Sequence, residues 1–214
     1  MAKTMKPPND KAIQALLARH ACPVGYHEVR TRLLGAIASP DPDVRPMTVI
    51  ASLWGGELPK FDSLDDANEL LGGLVMGLWN ELSVHQDPKV PFRVVHVPTE
   101  PTAANLGNFG RVRGQEAKGF VEGLFNGAEE VSLPERAHEA VKHLGDIRAM
   151  MLGVADLIER TAGEPEDRKQ IKATMEHLGT MTEIIETEIQ AAILSCIRAR
   201  KGLPGLTAPW PTKH

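Results

Sequence analysis

Metal-ligand spacing is the first chemistry the sequence invites. His138-Glu139-Ala140-Val141-Lys142-His143 sets two imidazoles around a glutamate. This comes close to H-E-x-x-H, in which two histidines one helical turn apart hold zinc while the glutamate acts as base. Here the separation is five residues, and on a 3.6-residue period such a pair points about 140° apart. The two residues therefore read as histidines on a solvated helix. Glu135 and His138 form one Glu-x-x-His pair, but a di-iron bundle needs two such pairs from different helices, and there is no second copy. The chain's two cysteines, Cys22 and Cys196, form no C-x-x-C, which argues against a Cys-rich zinc site or a disulfide framework. No metal and no cofactor is expected.

Nucleophilic and phosphate chemistry leave equally little trace. There is no G-x-S-x-G, no G-x-x-x-x-G-K-[ST] and no strand-flanked G-x-G-x-x-G; Gly55-Gly56 and Gly72-Gly73 match none of these. Cys196 falls on an apolar helical stripe and reads as a small core residue. Cys22, before Pro23, reads as a structural cysteine at a helix end, with an exposed reactive thiol as the other reading. Glu57, Asp62, His85 and His96 are scattered candidates for a site assembled only in three dimensions. Arg111 and Arg113 with Phe109 make a basic and aromatic loop cluster, and Arg198 to Lys201 a basic run. The formal net charge of −4 weighs against nucleic acid as the main partner. No catalytic residue is assigned.

Elements must position whatever function remains. The chain has 214 residues, 42% of them hydrophobic and 4% aromatic, so Leu, Ile, Val, Met and Ala must build the core, a composition that leans helical. Apolar residues recur at three- and four-residue spacing in helices predicted from Asp10, over Val24 to Ser39, over Met47 to Trp54 (Pro46 at its first position, Gly55-Gly56 closing it) and over Leu64 to Leu82. Ser63 to Asp66 resembles a capping box, and Ser132-Leu133-Pro134-Glu135 a cleaner one. Helices are further expected over Gln115 to Asn126, from the second box towards Leu144 and on through Ile147 to Glu159, with Gly145 ending or loosening the run. A last helix follows Glu164-Pro165 and carries Arg198, Arg200 and Lys201 at the end its dipole favours. Between Asp87 and Gly114, prolines and glycines interrupt every period, which predicts a long connection, either a functional loop or a segment packed across the helices. Gly119, Gly123 and Gly127 form a stripe that lets another backbone approach closely, within the core or across an oligomer interface. No run is long and apolar enough for a membrane span, and a cytoplasmic protein is expected.

Two of these segments look familiar. Leu33-Leu34-Gly35-Ala36-Ile37-Ala38-Ser39-Pro40 followed by Arg45-Pro46-Met47-Thr48-Val49-Ile50-Ala51-Ser52-Leu53-Trp54-Gly55-Gly56, and then Gln115-Glu116-Ala117-Lys118-Gly119-Phe120-Val121-Glu122-Gly123-Leu124, resemble the two signatures of the YecA/YgfB-like family of largely uncharacterised bacterial proteins. The chain departs from that family at Arg30-Thr31, where an acidic-Gly pair is common, and at Val49 and Glu116, where Trp is common. The tail Leu203 to His214 lacks the Cys-rich zinc motif of some members. The resemblance implies an all-α, multihelical single domain and no active site to inherit.

The expectation is thus about seven or eight helices: an N-terminal helix and lead-in (1–23), a YecA/YgfB-like helical domain (24–162), a long C-terminal helix packed on it (163–202) and a Pro-rich tail (203–214). Its function would be that of a non-enzymatic bacterial module that binds another protein or a second copy of itself, with Trp54, Gly55, Gly56, Phe120 and Gly123 as candidate partner-binding residues. A small-ligand binder or enzyme, and a nucleic-acid-linked regulator, are the competing readings.

Overall fold

A computed structural model describes residues 10–162, 165 and 167–202; the tail 203–214 and the lead-in before Asp10 lie outside the described residues. Seven helices account for the fold: α1 (Asp10–Arg19), α2 (Tyr26–Ala38), α3 (Pro46–Ser52), a composite α4, α5 (Ala103–Phe125), α6 (Glu135–Arg160) and α7 (Arg168–Gly202). No strand occurs among the described residues. The all-α, multihelical expectation therefore holds. None of the described helices is long and apolar enough to cross a membrane.

The composite α4 joins an α segment (Leu64–Leu71), a π stretch (Gly72–Trp79), a further α turn (Asn80–Ser83) and a 3₁₀ turn (Val84–Gln86). Its winding follows from its leucines. Leu70, Leu74, Leu78 and Leu82 are spaced strictly by four and all are buried. On a 3.6-residue period each step of four rotates the side chain by about 40°, so a pure α-helix would swing the last leucine off the core. The wider i→i+5 turns compensate and keep the row in line. At its start Ser63 Oγ accepts from Asp66 N–H at 3.1 Å, as the capping pattern predicts, while the Asp66 carboxylate reaches back to Asp62 N–H. The second box does not form: α6 begins at Glu135 with Pro134 as N-cap and no side-chain cap. Pro134 supplies an extended approach and its carbonyl accepts from His138 N–H at 2.9 Å. Gly145 does not interrupt α6, which is continuous.

Helix α5 is the centre of the molecule, with its most extensive contacts to α2 on one side and α6 on the other. It begins at Ala103, not at Gln115, so it absorbs residues 103–114 of the expected connection. Glycines of α5 and α2 are contact points, including Gly110 and Gly114, which lie in the stretch expected to break every period. A Cβ on Gly119 or Gly123 would collide with the carbonyls of Glu28 and Arg32 on α2, and one on Gly35 with the Phe120 carbonyl. On the opposite side, a Cβ on Gly110 would strike the Met151 carbonyl of α6, and one on Gly114 would lie 2.8 Å from Leu152 Cδ2. Gly119 and Gly123 of the expected stripe, with Gly110, therefore seat α5 backbone-to-backbone between two helices, whereas Gly127 lies beyond α5 at φ +81° with open space around it. Glycine in a helix costs roughly 1 kcal/mol of propensity each, which the close packing on both sides must outweigh.

The remainder of the expected connection, residues 87–102, is a strap laid across α5 and α7. Three of its backbone N–H groups are satisfied by helix side chains: Phe92 N–H by Gln190, Val94 N–H by Glu186 and Val95 N–H by Glu116, each at 3.0 Å. Phe92 and Val97 are driven into the core beneath it. Of the two readings for this segment, packing across the helices is the one observed. Val94 to Val97 forms no strand.

Candidate partner-binding groove

Two arginines define the polar landscape. Under the strap, Arg113 is 4% exposed and Glu116 fully buried, one turn apart on α5. The guanidinium donates to Glu116, to the Val95 carbonyl at 2.8 Å and to Thr182 Oγ1 at 3.3 Å, and it lies over the Phe109 ring. Burial pushes the Glu116 carboxyl up, opposed by Arg113 and the Val95 N–H. His27 nearby is pushed down, by burial first and then by Arg113 and Arg30. The Arg113–Glu116 pair is closed and occupied with its neighbours, while the buried His27 Nδ1 has no hydrogen-bond partner among the described residues.

Arg200, near the end of α7, is different. It is half-buried, and its Nη atoms donate to the Ile37 and Ser39 carbonyls and to Gln86 Oε1 at 3.3–3.4 Å. It thereby covers carbonyls at the C-terminal end of α2, a placement that the helix dipole favours. Burial lowers its pKa from the ordinary value, although an arginine stays charged in proteins. Beside it opens a groove of about 900 Å³ lined by residues 41–46, the α4 residues Trp79, Asn80, Ser83 and Gln86, and Lys201. The π stretch ends at Trp79, so the winding that holds the leucine row inward also sets Trp79 and Asn80 along the groove wall. Met47, next to the lining residue Pro46, is 43% exposed, and Met76, one turn before Asn80, is 71% exposed.

The residues singled out from sequence are distributed otherwise. Phe120 is fully buried and Gly123 is pressed against α2, so both hold the fold together and present no surface in this chain. Trp54 is half-buried, its Nε1–H donating to the His20 carbonyl at 2.9 Å. Gly55 and Gly56 are exposed, and their φ values of +84° and +111° suit a turn that only glycine adopts freely. These five do not form one patch. Arg111, Arg113 and Phe109 sit on α5 and not on a loop, and Arg111 is paired with Glu159 at 2.6 Å. The basic-aromatic loop on which a nucleic-acid reading rested is therefore absent, and the run Arg198 to Lys201 remains.

Glu57, Asp62 and His96 are exposed and His85 half-buried, its Nδ1 3.0 Å from the Val90 carbonyl. None of the four lines the groove. His138 is exposed, while His143 turns to Glu188 at 3.2 Å. Among the described residues no cluster of three His, Cys, Asp or Glu is placed to hold a metal. Cys196 is fully buried and its thiol is pushed up to about 11 by burial. Cys22 is half-buried and raised for the same reason, which removes the exposed reactive thiol. Sequence reasoning missed the groove, because its walls come from three separate stretches of chain. Comparison of the chain with protein families, with curated proteins and with solved structures finds no match.

Proposed function

We propose that this chain is a non-enzymatic helical module, of the YecA/YgfB-like kind, that acts by binding another protein through the groove at the end of α2, α4 and α7. The observation that carries this reading is the composition of that end of the molecule. Trp79 is half-exposed in the wall of a cavity that Arg200 also lines, and the exposed Met47 and Met76 are near in sequence to its lining residues Pro46 and Asn80; Met, Trp and Arg are the residue types enriched where proteins bind one another. Two cysteine thiols that form no disulfide support a reducing, cytoplasmic setting. Placing the photo-crosslinker p-benzoylphenylalanine at position 80, on the groove wall, should give one discrete adduct in cells. The same residue at position 146, exposed on α6, should give none. Adducts at both positions, or only at 146, would exclude the groove as the working surface. Sedimentation of the purified chain distinguishes a second copy from a different protein as partner.

A further inference from the structure

Arg19, Arg32, Arg93, Arg111, Arg113 and Arg136 each reach a carboxylate. Arg200, like Arg30, Arg148, Arg160, Arg168 and Arg198, reaches none among the described residues, and of these six it alone lines the groove; its acceptors are two backbone carbonyls and an amide oxygen. The α2 C-terminus supplies about half a negative charge, which leaves the guanidinium undercompensated at the groove. Lys201 follows it, exposed and without an ion pair among the described residues. The two acids on the groove wall are already engaged: Asp43 pairs with Arg45 at 3.5 Å, and Asp41 Oδ1 accepts the Asp43 N–H at 2.9 Å. Arg45, Arg200 and Lys201 outnumber Asp41 and Asp43 along the lining by one charge, so a chain with net charge −4 keeps a slightly positive groove.

We propose, resting on the reading of the groove as the binding surface, that its occupant is an acidic peptide segment of a partner protein, with a carboxylate on Arg200 and an apolar side chain against Trp79. Charge complementarity selects the acid: the guanidinium fork matches a carboxylate, while the negative remainder of the surface repels such a segment elsewhere. The apolar neighbour follows from the half-exposed Trp79 on the groove wall.

The test is titration of the full chain with acetyl-Leu-Glu-Glu-Leu-amide, acetyl-Leu-Gln-Gln-Leu-amide, acetate and inorganic phosphate, read by NMR at the Trp79 indole N–H and the Arg200 Nε–H. The acidic peptide should shift both signals saturably. The amide peptide should bind about tenfold more weakly, and acetate and phosphate should leave Trp79 unmoved. Arg200→Gln should abolish the response. Because that variant also uncovers the end of α2, Arg45→Glu/Lys201→Glu provides a second arm that leaves those carbonyls covered, and it should weaken the acidic peptide by at least about tenfold. Equal binding of both peptides would overturn the acidic selection while leaving the groove as the surface. Identical shifts with acetate or phosphate alone would show a small-anion site and overturn the peptide. Shifts confined to residues outside the groove, or none, would overturn the proposal, and the crosslinking at position 80 would then decide separately whether the groove binds anything.

Discussion

Arg113 and Arg200 carry the same guanidinium into opposite settings. Arg113 lies at the centre, beneath the strap, where Glu116, the Val95 carbonyl, Thr182 and the Phe109 face surround it. Arg200 lies at one end, where only neutral oxygens meet it and a cavity opens alongside. A buried charge is tolerated when it is paired and hydrogen-bonded, and the centre meets both conditions. The end meets only the second. The centre is therefore built to stay closed, whereas the end retains charge for something outside the chain.

The comparison is most severely tested where the centre is tightest. Gly123→Val would drive a side chain into the Arg32 carbonyl, and a loss of about 4 kcal/mol or more is expected, seen as loss of cooperative thermal unfolding by circular dichroism. A well-folded Gly123→Val protein would mean that α2 and α5 are not in backbone contact. Glu116→Leu leaves Arg113 buried without its carboxylate and should cost about 3–5 kcal/mol in urea titration. Adding Arg113→Met should cost less than the sum of the two single changes, the signature of a coupled pair.

The carboxylates offer a test of sign. Burial opposes ionisation of Glu188, but Arg136 and His143 outweigh it and hold the group below the ordinary carboxylate range. Its contribution is therefore present above that range and is lost as pH falls through its folded value. Glu188→Gln should cost about 1 kcal/mol near neutrality, with the difference from the parent vanishing in acid. Glu116, raised by burial, has the opposite slope: its ionisation is harder in the folded state, so the parent loses part of its stability as pH rises from the ordinary carboxylate value through the folded one, while the Arg113 pairing remains. Stability measured from pH 3 to 8 for each variant separates the two. At the open end the effects shrink. Arg200→Gln should cost only about 1 kcal/mol, the worth of hydrogen bonds to neutral carbonyls. A loss as large as that of Glu116→Leu would collapse the distinction between the two arginines. Arg45→Glu/Lys201→Glu, at exposed positions, should stay within about 0.5 kcal/mol of the parent in stability.

Much of the fold was legible as local pattern. The stripe Ile171, Met175, Leu178, Ile185, Ile189, Ala192 and Cys196 is the buried face of α7, and Ser63 caps α4 as its spacing suggested. The start of α5 was not legible, because Gly107, Gly110 and Gly114 have poor helix propensity and read as breaks. Their value lies in contacts with α6 that no local window contains. The Arg113–Glu116 pair was hidden for the same reason: a segment read as loop conceals its one-turn spacing. Glu116, where the family resemblance leads one to expect Trp, is the residue that brings a buried charge to the centre. The groove had no signal at all, since residues 36–46, 79–86 and 200–201 meet across more than a hundred positions of chain.

Periodicity, caps and turns are properties of neighbouring residues, so the sequence by itself determined that the protein is helical, where most helices begin and end, and which faces turn inward. Whether a glycine breaks a helix or lets two helices touch depends on what packs against it. Whether an arginine is neutralised or left available depends on which distant carboxylate reaches it. Only the tertiary structure decided those, because burial and charge pairing are set by groups far away in the chain, and with them the place where this protein can bind.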